Sequence, residues 1–362
     1  MKVAIVHDHL VQDGGAERVA ETLLEMFPKS AFFTLLYNKN KVSPTFENHQ
    51  IRTSFLQKIP FLNKRDEWLL PWMPAATEHH NLHDFNLVIS NSSIFSKGVI
   101  TAPGAKHICY CHTPPRFLWT DSHNYLQELK HNFLIKKFLP LILPRLRQWD
   151  RLAADRVDYF VANSQEVQKR IKKYYGRDSV IIPPPIKTEN FYLTKNLGNY
   201  FIAGGRLVGY KRFDLIINAF NRLNLPLKIF GVGPLSKDLK KMAKNNIQFL
   251  GKISEKEKAE WLSRAQAFIN PQLEDFGLTA VEAMASGRPV IAYGQGGALE
   301  TVAKNITGKF FYDQTWEDLA YQILKFKNSD FDPVKIKAHA ENFNLANFQQ
   351  KFQNFLHAKL SE

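Results

Sequence analysis

The sequence predicts two α/β domains, each built on a parallel sheet, facing one another across a cleft. Three observations carry this. Short apolar runs of the buried-strand type alternate with helical segments in both halves. The first run leads through a glycine turn into a helix, the opening of a doubly wound domain. The alternation stops once, at "VIIPPPI" (Val180–Ile186), and then restarts.

In the first half, "KVAIVHD" (Lys2–Asp8) is a β-branched apolar run, followed by a loop, "HLVQDGG". From Ala16 to Met26 the apolar residues Val19, Leu23 and Leu24 fall on one helical face. "FNLVIS" (Phe85–Ser90), "HICYC" (His107–Cys111) and "YFVAN" (Tyr159–Asn163) are further strands, with helical segments expected between them. Pro183, Pro184 and Pro185 can neither continue a helix nor sit in a central strand, and they stiffen the chain into a spacer. The domain boundary is placed here: residues 1–184, joined by a C-terminal helix from about 343 to 362, and residues 185–342.

The second half repeats the scheme. "NYFIAGG" (Asn199–Gly205), "LKIFGVG" (Leu227–Gly233), "IQFLG", "AFINP" and "PVIAYG" read as strands. "RFDLIINAFNRL" (Arg212–Leu223) reads as a helix, and so does "SEKEKAEWLSRA", where Ser254 and Glu257 match a capping box. Thr279 to Ser286 is expected to be helical and to stop at Gly287 and Pro289. Past Trp316 the chain reads as helical to its end.

The size suits two domains: 362 residues, 44% of them hydrophobic, supply two cores. Cys109 and Cys111 lie in one strand, which argues against a disulfide framework and for a reducing compartment. The N-terminus reads as a strand rather than a signal peptide. No apolar run is long enough to span a bilayer. The net charge of +14 points to nucleic acid, an anionic membrane or a polyanionic ligand.

Chemistry concentrates in "EDFGLTAVEAMASGRPVIAYGQGGALETV" (Glu274–Val302). Free amides at a helix start near Gly277 to Thr279, together with the helix dipole, favour an anion such as a phosphate. Glu282 falls about one turn inside that helix, and Glu274 lies outside it on the loop leaving a strand. Taken singly, the two glutamates read as solvated charges. In this setting both can accept hydrogen bonds from the hydroxyls of a polyhydroxylated anion. Arg206 and Lys211 follow the strand "NYFIAGG", at its carboxyl end, where two cations can neutralise a diphosphate leaving group. Gly14 and Gly15 let the backbone approach a ligand closely. His112 ends the strand "HICYC", and His7 and His9 end the first strand.

This stretch resembles the signature of the family-4 retaining glycosyltransferases, with its glutamate, seven residues, glutamate core. "VHDHLVQDGGAERV", "YCHTPPRFLW", "RVDYFVANS" and "GRLVGYKRFDLIINAFNRL" extend the likeness over nearly the whole chain, towards the O-antigen mannosyltransferase branch. The resemblance implies a GT-B fold: two facing Rossmann-like domains with parallel sheets and an interdomain cleft. It implies a nucleotide-sugar donor held mainly by the C-terminal domain, and retention of configuration. It gives Arg206 and Lys211 the diphosphate, Glu282 the ribose hydroxyls, and Glu274 the sugar hydroxyls. Phe276, Gly277, Leu278 and Thr279 would offer backbone groups to sugar and phosphate. Gly14 and Gly15 would meet the donor diphosphate and His112 the donor sugar, with His7 and His9 near the acceptor. Gly209 stands before "YKR" where relatives often carry proline, which could loosen the loop holding Lys211.

With the cation role filled by Arg206 and Lys211, no metal or other cofactor is expected. "DFD" (Asp330–Asp332) reads as a surface turn, and His79 and His83 as a solvated face. Two segments, Phe55–Pro74 and Leu129–Gln148, mix basic residues with aliphatic and aromatic ones, including Trp68, Trp72, Phe133, Leu134 and Phe138. That mixture suits a membrane surface better than nucleic acid. The expected partners are therefore a nucleotide sugar, a lipid-linked glycan acceptor and an anionic membrane surface, with no nucleic acid. The expected activity is transfer of mannose from GDP-mannose to a lipid-linked surface polysaccharide, O-antigen-like, by a cytoplasmic enzyme peripheral to the inner face of the membrane. Another nucleotide-sugar enzyme of the same fold, such as an epimerase, and a non-catalytic basic binder of nucleic acid are the alternatives.

Overall fold

A computed structural model describes residues 1–59, 66–122 and 133–361. The chain divides into two compact units, Met1–Pro184 with Gln349–Glu362, and Pro185–Phe348.

The first unit holds a seven-stranded, all-parallel sheet: β1 (Val3–Leu10), β2 (Ala31–Tyr37), β3 (Ile51–Thr53), β4 (Leu87–Ser92), β5 (Lys106–Cys111), β6 (Tyr159–Ala162) and β7 (Ser179–Ile181). Their order is β3-β2-β1-β4-β5-β6-β7, so the direction of growth reverses between β1 and β4. The second unit holds β8 (Phe201–Gly204), β9 (Leu227–Phe230), β10 (Ile247–Gly251), β11 (Phe268–Asn270), β12 (Val290–Tyr293) and β13 (Gly308–Phe311). Their order is β10-β9-β8-β11-β12-β13, with the reversal between β8 and β11. Ligands of open parallel sheets bind beyond the carboxyl ends of the strands at such reversals.

Helices cover both faces of the second sheet, as a parallel sheet requires. Alternate residues of β8 show it. Ile202 packs with Phe268 and Val290 on one face, and Phe201 and Ala203 pack with Ile269 and Ile291 on the other. The helix Glu255–Arg264 opens on the expected capping box, with Ser254 Oγ accepting from Glu257 N at 3.2 Å and Glu257 Oε2 from Ser254 N at 2.8 Å.

Four strands fall where the sequence indicated none. β2 and β3 occupy part of the region expected to be helical, and β7 and β13 add one edge to each sheet. "AFFTLLY" is apolar but for Thr34, and a run buried on both faces shows no period by which to tell strand from helix. β1 also runs two residues past Asp8, into the expected loop. Beyond Trp316 the chain is not one helical run but three helices, Trp316–Leu324, Pro333–Ala340 and Leu345–Leu360, separated by short turns. Asp332 caps the second by accepting from Val334 N at 2.9 Å. His79 and His83 are both exposed and share no helix, because Met73–Glu78 ends before them. Cys109 and Cys111 are free and buried.

The basic, apolar helix Phe133–Asp155 is tied down by Asp150. That carboxylate is fully buried against Lys97 and also accepts from Trp119 Nε1 (2.7 Å) and the Tyr175 hydroxyl (2.8 Å). Leu139, Leu143 and Leu146 face the core, while Leu141 and Leu152 are 70% and 62% exposed, and Trp72 is 61% exposed. Residues 60–65 and 129–132 of the two candidate membrane segments, and the side chains of Trp68, Phe133, Leu134 and Phe138, lie outside the described ones. No described helix is long and apolar enough to cross a membrane.

The first unit's reversal is held by Asp8. Its carboxylate accepts four backbone amides, from Ser93, Ile94, Phe95 and Ser96, at 2.6–2.8 Å. Burial alone would raise its pKa, but His9, His7 and these amides hold it below the usual 3.8. Hydrogen bonds to a charged group contribute roughly 1.5–3 kcal/mol each, so Asp8→Ala is expected to cost about 4 kcal/mol or more in urea unfolding. With a depressed folded pKa, Asp8's contribution is complete above pH 3.8 and is lost as pH falls through the folded value. A loss below about 1 kcal/mol would contradict the clamp.

Candidate active site

In the second unit the polar groups gather where β8 and β11 end. Gly205, at φ 133°, turns the chain out of β8, and Arg206 follows, exposed. A short turn, Gly209–Lys211, then leads to Arg212, which adopts a left-handed φ of 51° before the helix Phe213–Leu223. Gly209 keeps an ordinary φ, and Arg212 N bonds its carbonyl at 3.0 Å, so the turn is closed without a proline. The loops after β8 and β9 run backbone to backbone. A Cβ on Gly231 would stand 1.9 Å from Gly205 O, and one on Gly233 would stand 2.3 Å from Leu207 O.

Lys211 forms an ion pair with Glu274, and both side chains are about five-sixths buried. Burial opposes charge on Lys211, but Glu274, Tyr210 and Asp275 together outweigh it and the lysine's pKa is raised. Glu274 Oε1 also accepts from Gln272 Nε2 at 2.6 Å, and Gln272 Nε2 donates to Asn270 Oδ1 at 2.6 Å. The other end of the Asn270 amide, Nδ2, is buried with no acceptor among the described residues. It lies beside the loop Glu274–Gly277, 3.9 Å from where a Gly277 Cβ would stand.

That loop is clamped from behind. Gly297 N bonds Glu274 O at 2.9 Å, and a Cβ on Gly297 would stand 2.5 Å from Asp275 O. Phe276 is buried and meets Phe343 edge-on at 5.4 Å, so its side chain anchors the loop. Gly277, at φ 96°, then opens the helix Leu278–Ala285 with no side-chain cap. The first intrahelical bonds come from Ala280 N and Val281 N, both to Gly277 O. Among the described residues, the amides of Leu278 and Thr279 find no carbonyl, which leaves a helix start of the kind that can accept an anion. Glu282 is neither solvated nor facing out. It is 2% exposed, with Lys258 Nζ 2.9 Å from its Oε1.

In the first unit, the corresponding reversal gathers His7, Asn91, Glu17 and His112. His7 Nε2 stands 3.5 Å from Glu17 Oε1, and His7 Nδ1 stands 3.0 Å from Asn91 Nδ2. Asn91 Oδ1 stands 2.6 Å from His112 Nε2. His7 is 2% exposed, and His9 has a buried Nδ1. Burial works against charge on His7, but the hydrogen bond and charge of Glu17 raise its pKa. Burial, with His7 close by, pushes His112 down to about 4. Gly14 caps the helix Gly15–Met26, and a Cβ there would stand 2.9 Å from Glu17 Oε2.

The structure thus brings Lys211, Glu274, Gly277, Leu278 and Thr279 to one end of the second sheet. Glu282 lies inside that helix, against Lys258. His112 and His7 share an end of the first sheet, with Gly14 and Gly15 at the helix start carrying Glu17. Sequence reasoning missed Asp8's role, Asn91, Glu17, Asn270, Gln272, Lys258 and the Gly296–Gly297 clamp. A signal existed for three of these: Asp8, Asn91 and Asn270 are polar residues at or near the end of otherwise apolar strand runs.

Two family models match the chain: Glycosyltransferase Family 4 over residues 13–190, and Glycosyl transferases group 1 over residues 185–343. Among curated relatives, the D-rhamnosyltransferase WbpZ of Pseudomonas aeruginosa is 27% identical over 45% of this chain and 46% of its own. The O-antigen chain mannosyltransferase C of Escherichia coli is 26% identical over 45% of this chain and 47% of its own. The chain thus spans about half the length of these relatives. Among solved structures, Anabaena Alr3699/HepE in complex with UDP superposes with a TM-score of 0.73 at 16% identity, over 99% of this chain and 100% of that one.

His112 is expected to stay uncharged through the neutral range. An NMR titration of its ring should give a midpoint near 4, and a midpoint near 6.5 would show that the ring is not held as described.

Proposed function

The chain belongs to the family-4 glycosyltransferases of the GT-B fold, and on that premise we propose that it transfers a hexose from a nucleotide sugar to a glycan acceptor. The observation that carries this is the second unit's helix mouth. The uncapped amides of Leu278 and Thr279, the buried Asn270 Nδ2 donor and the Lys211–Glu274 pair converge at the end of β11. Donors and a cation at one point suit a diphosphate; a carboxylate beside them suits sugar hydroxyls.

The proposed roles follow. Lys211 and Arg206 take the diphosphate, and its growing negative charge draws them as the glycosidic bond breaks. Glu274, already oriented by Gln272, accepts from the sugar hydroxyls. Phe276 fixes the loop from its buried side, while Gly277, Leu278 and Thr279 present backbone to the donor. Glu282 takes the ribose hydroxyls, held in place by Lys258. In the first unit, Gly14 and Gly15 take the diphosphate approach that the resemblance gives them, and His112 takes a sugar hydroxyl. The acceptor hydroxyl attacks on the face the diphosphate leaves, with the leaving phosphate taking its proton and with retention. In this scheme the fixed cations stand in for a metal.

The sugar is proposed to be mannose, carried as GDP-mannose, and the acceptor a lipid-linked oligosaccharide of an O-antigen-like surface polysaccharide. A mannosyl- and a rhamnosyltransferase among the relatives support the sugar class. The UDP-bound structural neighbour makes the base the feature to test first. Attachment to the inner face of the cytoplasmic membrane is proposed through the first unit. Its Leu141, Leu152 and Trp72 are exposed, and the stretches around them carry lysines and arginines.

A thermal-shift panel of nucleoside diphosphates and their sugars tests the donor, because a ligand selective for the native state raises its melting temperature. GDP-mannose should stabilise most; equal shifts from every nucleotide would reject a specific site. Lys211→Ala should lower transfer by about 10²–10³. Full transfer by this variant would reject the scheme. In liposome flotation the protein should rise with anionic vesicles at low salt and be released by high salt. Failure to float at low salt would reject the membrane proposal.

A further inference from the structure

Asn91 lies in the polar run Ser90–Ser92 that ends β4, at the reversal of the first sheet, paired in register with His7 of β1. It is fully buried, and its two terminal atoms cannot be exchanged. Nδ2 lies 2.7 Å from the carbonyl oxygen of Ala16, which can only accept a hydrogen bond. The opposite orientation would set two acceptors against each other. The amide nitrogen therefore faces Ala16, and Oδ1 faces His112, 2.6 Å from Nε2. An amide oxygen has no proton to give, so the proton of that bond belongs to His112 Nε2. A neutral imidazole carries a single N–H, which leaves Nδ1 bare.

The rest of His112 is equally fixed. Its backbone N–H donates to Ser92 O at 2.8 Å, and its carbonyl accepts from Asn163 Nδ2 at 2.9 Å. The ring stands edge-on to Tyr110 at 5.1 Å. Asn91 is thus the group that decides which ring nitrogen carries hydrogen.

We propose that Asn91 is a positioning residue that locks His112 in the Nε2–H tautomer, so that Nδ1 accepts a hydrogen bond from a sugar hydroxyl. This rests on the reading of His112 as a sugar contact. The consequence is selective. A bare ring nitrogen accepts from a hydroxyl but has nothing to donate to an ionised phosphate oxygen. The position therefore takes the sugar end of a donor and turns away the phosphate end. The ring's depressed pKa, about 4, keeps this polarity through the neutral range.

The test is a long-range nitrogen–proton NMR correlation on nitrogen-15-labelled protein at neutral pH, with the His112 signals assigned by loss in His112→Gln. The wild-type ring should show one tautomer, protonated at Nε2. In Asn91→Ala the ring should become a mixture, and kcat/KM for transfer should fall by roughly tenfold or more, as for other groups that orient a reacting ligand. A wild-type ring protonated at Nδ1, or a mixture there, would overturn the proposal, and so would an Asn91→Ala ring that stays a single Nε2–H tautomer. The wild-type spectrum decides the tautomer even where the variant fails to fold. His112→Ala separates the two layers. Unchanged transfer in that variant removes the sugar contact and the proposed role with it. Lost transfer together with the wrong wild-type tautomer removes only the part given to Asn91.

Discussion

A lysine after β8 and a glutamate after β11, 63 residues apart in sequence, close on each other where the second sheet reverses its strand order. This ion pair sets the geometry around it. It draws the turn Gly209–Lys211 against the loop that begins at Glu274. Gly296 and Gly297 press on that loop from behind, and the glycines after β9 let the β8 loop lie flat against its neighbour. Removing one partner of a well-buried pair strands a charge, which typically costs about 3–5 kcal/mol. In the proposed scheme, a diphosphate at the helix mouth takes Lys211 from Glu274, and the freed carboxylate takes sugar hydroxyls.

The first unit meets the same topological problem with different chemistry. Its reversal is fixed by a single aspartate gripping four amides, and its polar cluster runs from Glu17 through His7 and Asn91 to His112. Glu17 favours charge on His7, and burial beside His7 then disfavours charge on His112. Two histidines in one cluster are thereby pushed in opposite directions.

Much of this was legible in the residues. Glycine turns after apolar runs marked β1, β8 and β9, and a serine with a glutamate three residues later marked one helix start, where both reciprocal bonds form. The helix mouth at Gly277 was readable from "EDFGLTAVEAMASG", because its apolar period and its stop signal are local. β2 was not readable, since a run of seven residues, apolar but for Thr34 and buried on both faces, carries no period. Asn91 and Asn270 stood out as polar residues near strand ends, but their roles were not readable, for a different reason. Their meaning arises only when strands distant in sequence pair, which sets Asn91 opposite His7 and Asn270 next to the loop of Glu274. Glu282 shows the limit of motif reading. Its place in the helix was clear, but Lys258, which holds it, comes from another helix 24 residues earlier.

The most direct measurement is a crystal structure with a nucleoside diphosphate bound. The account predicts its phosphates at the start of the helix Leu278–Ala285, accepting from the Leu278 and Thr279 amides with Lys211 turned towards them. A diphosphate bound elsewhere, with Lys211 still paired to Glu274 and the helix start unused, would contradict it.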